Sequence, residues 1–199
     1  MSDRMSDTSL LHVHAYLPDS RANGPGRRAV VWVQGCTLGC PGCFNPGTHP
    51  ATGGELLDPA DLAERILERA NDIEGVTISG GEPLQQAGPL LVLLAALRRG
   101  GGLSVLLFTG YTWGEVTRRP DAGALLECID VLIAGRYDQA RRVATGLLGS
   151  ANQTVHLLTG RYTMDDLAAV PEAEVIVGLD GSVVISGVAP LSSWQETKR

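Results

Sequence analysis

The sequence has no hydrophobic run long enough to cross a bilayer. Its longest, Leu90 to Leu97, stops at Arg98 and Arg99, whereas a spanning helix needs about 20 apolar residues. No apolar leader is visible in residues 1–10 either, so a cytoplasmic location without a membrane partner is expected. Basic charge is scarce: Lys198 is the only lysine, and the net charge is −6. That argues against a nucleic-acid partner, which usually needs a basic face. Cysteine is scarce as well, four in 199 residues, with three of them inside eight positions. Such a distribution excludes a secreted disulfide framework and points to a metal site.

What is present suits one ordinary domain with a short appendage. Residues 28–34 read as a buried strand running into the cysteine-rich loop, and residues 75–79, 103–109 and 129–134 read as three more strands. Between them, Asp58-Pro59-Ala60-Asp61 is a helix start, with a side-chain cap, proline at the first helical position and an acid in the first turn. That helix is predicted to run to about Asn71. Residues 88–99 read as a second, largely apolar helix, and a polar helical stretch after Gly110 is broken by Pro120. Alternating strands and helices predict an α/β fold with a mainly parallel sheet. Two β-rich runs, 174–178 and 182–186, flank the turn signal Asp180-Gly181 and predict a small C-terminal hairpin. The expected division is a polar tail at 1–11, a core at 12–157 and a β appendage at 158–199.

The loop after the first buried strand carries Cys36, Cys40 and Cys43 in the spacing C-x3-C-x2-C, with Gly35 just before them and Gly39 and Gly42 between them. Three thiolates on one tight loop can ligate three irons of a [4Fe–4S] cubane and leave the fourth iron open, while the glycines let the backbone wrap closely. The alternative is structural zinc, with His49 or Cys128 as fourth ligand. His49 reads more simply as an exposed loop residue and Cys128 as a core thiol.

A second motif, Ser79-Gly80-Gly81-Glu82-Pro83, ends the next strand, at the edge where parallel α/β folds bind ligands. Its glycines allow a close backbone approach, and Glu82 could accept hydrogen bonds from an ammonium group. On its own, the motif could equally be a strand–helix turn with a solvated acid.

Together the two motifs resemble the radical S-adenosylmethionine (SAM) superfamily. The likeness extends to Tyr16-Leu17-Pro18, Asn23-Gly24-Pro25-Gly26-Arg27-Arg28 and Val33-Gln34-Gly35-Cys36, which resemble activases of glycyl-radical enzymes. Cys40 to Asn45, Phe108 to Trp113, Ile129 to Ile133, Gly135-Arg136-Tyr137 and Gly149 to Gln153 are similar, in order, to the activating proteins of anaerobic ribonucleotide reductase. The resemblance covers residues 12–157.

This resemblance implies a partial, open (β/α) barrel holding one [4Fe–4S] cluster on Cys36, Cys40 and Cys43, with SAM at the open iron. It implies reductive cleavage of SAM to a 5′-deoxyadenosyl radical, which then makes a glycyl radical on a reductase partner. Ser79, Gly80, Gly81 and Glu82 would hold the methionyl group, and Gly42 and Phe44 would pack by the adenine. Thr109, Arg136 and Asn152 would belong to the SAM shell or the partner groove. A flavodoxin or ferredoxin would supply the electron. Ala134 departs from the pattern, replacing an Asp near the SAM pocket, so one polar contact is in question and a cluster protein that binds SAM poorly is an alternative. Two more alternatives stay open: a radical SAM enzyme acting on a small molecule or peptide, and a zinc-stabilised, non-enzymatic binding module.

Overall fold

The computed structural model describes residues 9–188; the ends of the predicted polar tail and of the appendage lie outside these. The chain opens with the antiparallel pair β1 (Leu11–Ser20) and β2 (Arg28–Val33), and β3 (Glu55–Leu57) adds to the far side of β1. Helix α1 (Pro59–Leu67) leads to β4 (Gly75–Gly80), α2 (Ala87–Gly100) leads to β5 (Ser104–Thr109), and α3 (Trp113–Thr117) with α4 (Ala122–Glu127) leads to β6 (Val131–Ala134). A short pair follows, β7 (Arg142–Thr145) and β8 (Leu148–Ser150), then β9 (Thr154–Leu157), α5 (Met164–Ala168) and the antiparallel ribbon β10 (Ala173–Val177) and β11 (Val183–Gly187).

Seven strands make one sheet in the order β3-β1-β2-β4-β5-β6-β9. The central four are parallel, and the outer pairings are antiparallel. β4, β5 and β6 are apolar almost without alternation because both of their faces are covered. On one face lie α1 and α2; Leu90, Leu93, Leu94 and Leu97 of α2 are fully buried at helical spacing. Truncating any of these leucines to alanine should cost about 2–5 kcal/mol. On the other face, Leu106, Val131 and Ile133 pack against Leu147, Leu167 and Val170. That cover is partial, and Trp32, Ser79 and Phe108 look onto an open groove.

Arg28 is fully buried beneath this face. Its guanidinium donates to Thr77 Oγ1, Ser104 Oγ, Tyr162 Oη and the carbonyls of Pro25, Val76 and Ser104. Neutral acceptors therefore fill a charged fork, tying the β1–β2 turn to the starts of β4 and β5.

One predicted boundary moves, and one strand had not been expected. α1 starts as expected, with Asp58 accepting from the Ala60 amide at 2.7 Å, but it ends at Leu67 rather than near Asn71. Its apolar face stops at Ile66 and Leu67, after which i+3 bonds from Arg69 and Ala70 tighten the chain into turns. β1 escaped the reading because its burial is mixed, it contains Pro18, and its register with β2 shifts twice. Among the described residues, no helix is long and apolar enough to cross a membrane.

Candidate active site

β2, β4, β5 and β6 end on one edge, so the segments that follow them converge. The first is the cysteine loop. Its root is held by Gly35 N donating to Thr48 O (2.7 Å) and Cys36 N to His49 O (3.1 Å). Thr37 exchanges two bonds with the Gln85 amide, at 3.1 and 2.8 Å. Gly39 and Gly42 adopt φ of +63° and +69°, left-handed backbone that lets the loop reverse between its thiols. Cys36, Cys40 and Cys43 are free and half-buried. Burial pushes the Cys36 and Cys43 thiols up, which backbone hydrogen bonds at Leu38 and Asn45 partly offset.

The second segment is the glycine–acid turn, and it is stitched to the first. Gly81 N donates to Val33 O at 2.8 Å and Glu82 N to Gly35 O at 2.9 Å. A Cβ on Gly81 would sit 2.3 Å from Gly35 O, so only glycine fits against the loop root. Glu82 is not the solvated acid of a plain strand–helix turn; it is fully buried. Its Oε1 accepts from Leu84 N (2.9 Å) and Thr109 Oγ1 (2.8 Å), and its Oε2 accepts from Gly110 N (2.7 Å). Burial raises its pKa, and these three donors work against that rise. Glu82 thus clamps the tips of β4 and β5 together, and a carboxylate has about four acceptor sites, so one remains on the Oε2 side.

Both segments line one cavity of about 100 Å³, with Cys36, Cys40 and Cys43 on one side and Ser79, Gly80, Gly81 and Glu82 on the other. Thr109 and Phe44 also line it, and Phe44 packs edge-on against Tyr137 with ring centroids 5.2 Å apart. Gly42 lies at the loop's outer side, where a Cβ would meet the Gln139 side chain. His49 is half-buried and lines the cavity, correcting its reading as an exposed loop residue. Cys128 packs at the margin of the helix-side core and is not in the cavity lining.

Arg136 and Asn152 do not line this cavity. The Arg136 guanidinium forks onto Glu115 at 2.8 and 3.0 Å and holds that carboxyl down to about 2. Asn152 Nδ2 donates to Arg136 O at 2.8 Å, so its side chain braces the backbone after β6. Ala134 is buried in the helix-side core. Several lining residues were given no site role from sequence: Leu38, Asn45, Phe108, Gly110, Gly135, Tyr137, and Gln153, whose amide bonds Gly135 O, Gly149 N and Ser150 N. The signal that could have found Tyr137 and Gln153 was their place inside the family-like runs Gly135-Arg136-Tyr137 and Gly149 to Gln153.

The donor set fits a [4Fe–4S] cluster: three free thiols of one loop line a single cavity, and a cubane takes each thiolate on a different iron.

Comparison with known proteins agrees with this chemistry. The pattern of the family described as "4Fe-4S single cluster domain" matches residues 22–156. The anaerobic ribonucleoside-triphosphate reductase-activating protein of Vibrio cholerae is 35% identical over 161 residues, spanning 75% of this chain and 99% of that protein. The protein of the same name from Escherichia coli K12 is 31% identical over 156 residues, 74% of this chain and 99% of that one. The crystal structure of QueE from Escherichia coli overlaps 55% of this chain and 58% of that one, with a TM-score of 0.44 and 18% identity.

Proposed function

The chain belongs to the anaerobic ribonucleoside-triphosphate reductase-activating protein family, a radical SAM family with one [4Fe–4S] cluster, and from that premise we propose that it cleaves SAM reductively to install a glycyl radical on an anaerobic ribonucleotide reductase. One observation carries the reading: three thiols from the end of β2 and the glycine–acid turn from the end of β4 line a single cavity.

When bound, the cluster and SAM together supply the 5′-deoxyadenosyl radical that abstracts hydrogen. The chain's own residues hold and shield. Cys36, Cys40 and Cys43 would hold the cluster through their thiolates. Gly80 and Gly81 bring backbone polar groups to the methionyl end beside Ser79. Glu82 keeps those glycines in place through Thr109 and Gly110, and its remaining acceptor site can take an ammonium hydrogen. Phe44 would flank the adenine with Tyr137 behind it to exclude water, while Gly42, on the outer side of the loop, would serve by letting the chain turn before Cys43. Arg136 and Asn152 act from outside the cavity, shaping the backbone at Gly135.

The same proposal includes the open (β/α) barrel, the core at 12–157, a cytoplasmic setting without nucleic acid or membrane, and a flavodoxin or ferredoxin as electron donor. The test is anaerobic: cluster-loaded protein, dithionite and SAM are mixed with a purified anaerobic ribonucleoside-triphosphate reductase. A glycyl doublet on the reductase by electron paramagnetic resonance is expected. SAM cleavage without that doublet would favour a small-molecule or peptide substrate instead.

A further inference from the structure

Cys36 sits between two residues that the turn after Glu82 grips from the side. Glu82 accepts from Leu84 N and so starts the single 3-10 turn Pro83–Gln86, which ends in two glutamines. Gln85 takes the Thr37 N–H on its Oε1 at 3.1 Å and donates from Nε2 to Thr37 Oγ1 at 2.8 Å. Gln86 donates from Nε2 to Gln34 O at 2.8 Å and to His12 O at 3.2 Å, while its Oε1 accepts from His12 N at 2.7 Å. Adjacent side chains of one turn therefore hold the residue before Gly35-Cys36 and the residue after it.

Gln34 carries the grip to the other side of the loop. It is buried, its N–H donates to His12 O at 2.8 Å, and its Oε1 accepts from His14 Nδ1 at 2.6 Å. Its Nε2 donates to Pro50 O at 2.7 Å and to Gly47 O at 3.3 Å. That fixes the segment whose Thr48 and His49 carbonyls receive the Gly35 and Cys36 N–H groups. Cys40 and Cys43 are tied to each other instead, Cys43 N donating to Cys40 O at 3.2 Å, beside the left-handed backbone of Gly39 and Gly42.

We propose that Gln34, Gln85 and Gln86 are positioning residues. They make Cys36 the reference thiolate that sets the place of the cluster relative to Gly80, Gly81 and Glu82, and they leave Cys40 and Cys43 free to adapt. The inference rests on the SAM-cleaving reading and deepens it. A methionyl group shared between the cluster and the glycine–acid turn requires the two to keep one spacing, and a rate set by the geometry of reacting atoms falls steeply when that spacing drifts. Both glutamines leave the turn that Glu82 itself caps, so the acid and the grip on Cys36 move as one piece. Partners that orient ligands in this way are worth tenfold to a hundredfold in metal affinity or activity.

The test uses the full chain as Gln85→Met/Gln86→Met, which keeps side-chain length and removes the bonds, with Gln85→Met alone carrying the test if the pair misfolds. Gln85→Glu is the conservative control, because a carboxylate still accepts from the Thr37 N–H and can take the Thr37 hydroxyl hydrogen. In the metal-free protein, hydrogen exchange is followed over residues 34–37 and 39–43. In the loaded protein, iron and sulfide per chain are measured with kcat and KM for 5′-deoxyadenosine formation from SAM. The methionine pair should lose exchange protection over 34–37 but not over 39–43. It should lower kcat per loaded cluster about tenfold and move KM for SAM less, while Gln85→Glu keeps the unsubstituted rate. Unchanged exchange over 34–37, or an unchanged kcat per loaded cluster in the pair, would overturn the inference and leave the SAM-cleaving reading standing. If the loaded, unsubstituted protein forms no deoxyadenosine, that reading falls and the inference falls with it.

Discussion

The glycine–acid turn and the cysteine loop sit side by side, yet they are built differently. In the turn, Glu82 is fully buried with three internal donors, and Gly81 is pressed against the Gly35 carbonyl. The cysteine loop is fastened by hydrogen bonds at its root and at Thr37, its thiols are half-exposed, and a Cβ at Gly35 or Gly39 would meet nothing within 4 Å. One half of the site is made by the protein alone. The other half leaves room for an inorganic group to complete it, the expected division of labour where a cluster is the ligand that organises its own loop.

Substitutions should separate the halves, beginning with the loop. Cys40→Ala should abolish cluster loading and, with it, SAM cleavage, while thermal stability of the metal-free protein stays within about 0.5 kcal/mol, as for surface changes; iron and sulfide analysis checks this. In the turn, Gly81→Ala forces a methyl into backbone and should cost about 2–3 kcal/mol of stability in the metal-free protein, measured by denaturant unfolding. Glu82→Gln leaves an amide facing the Gly110 N–H and should cost about 1–3 kcal/mol.

That last variant also carries a pH signature. Because burial raises the native pKa of Glu82, the folded state binds more protons than the unfolded one above about pH 4.5. Its contribution therefore weakens stability as pH rises from there through the raised native value, a slope Glu82→Gln should lack. Gly39→Ala, in open space at φ +63°, should cost only the left-handed backbone penalty, about 1–2 kcal/mol, and less than Gly81→Ala. The smallest effect belongs to the exposed Arg136–Glu115 pair. Its contribution, present above about pH 4.5, is lost as pH falls toward about 2, and Glu115→Gln should change neutral-pH stability by less than about 1 kcal/mol.

Sequence and structure agree most closely where burial leaves a continuous imprint. The central parallel strands were legible because both faces are covered, so apolar runs such as 103–109 and 129–134 stand out. The Asp58-Pro59 cap was legible because its chemistry is local. β1 and β9 were not, since edge or near-edge strands with one open face carry mixed patterns and take their pairing from distant partners. At the site, the motifs' places on β2 and β4 could be read from chain order. The Glu82 clamp could not, because its donors Thr109 and Gly110 come from the end of another strand. His49 was misjudged for the same reason: the bond from Cys36 N to its carbonyl, which folds it into the cavity, is set by the path of the loop rather than by its neighbours in sequence.

The central claim is that three loop cysteines and a prebuilt turn make one SAM-cleaving site, and its most direct measurement is 5′-deoxyadenosine formation by the anaerobically reconstituted chain with dithionite and SAM. The account predicts deoxyadenosine from protein carrying about four irons and four sulfides, and none from Cys36→Ala, Cys40→Ala or Cys43→Ala. A fully loaded cluster that yields no deoxyadenosine would contradict it.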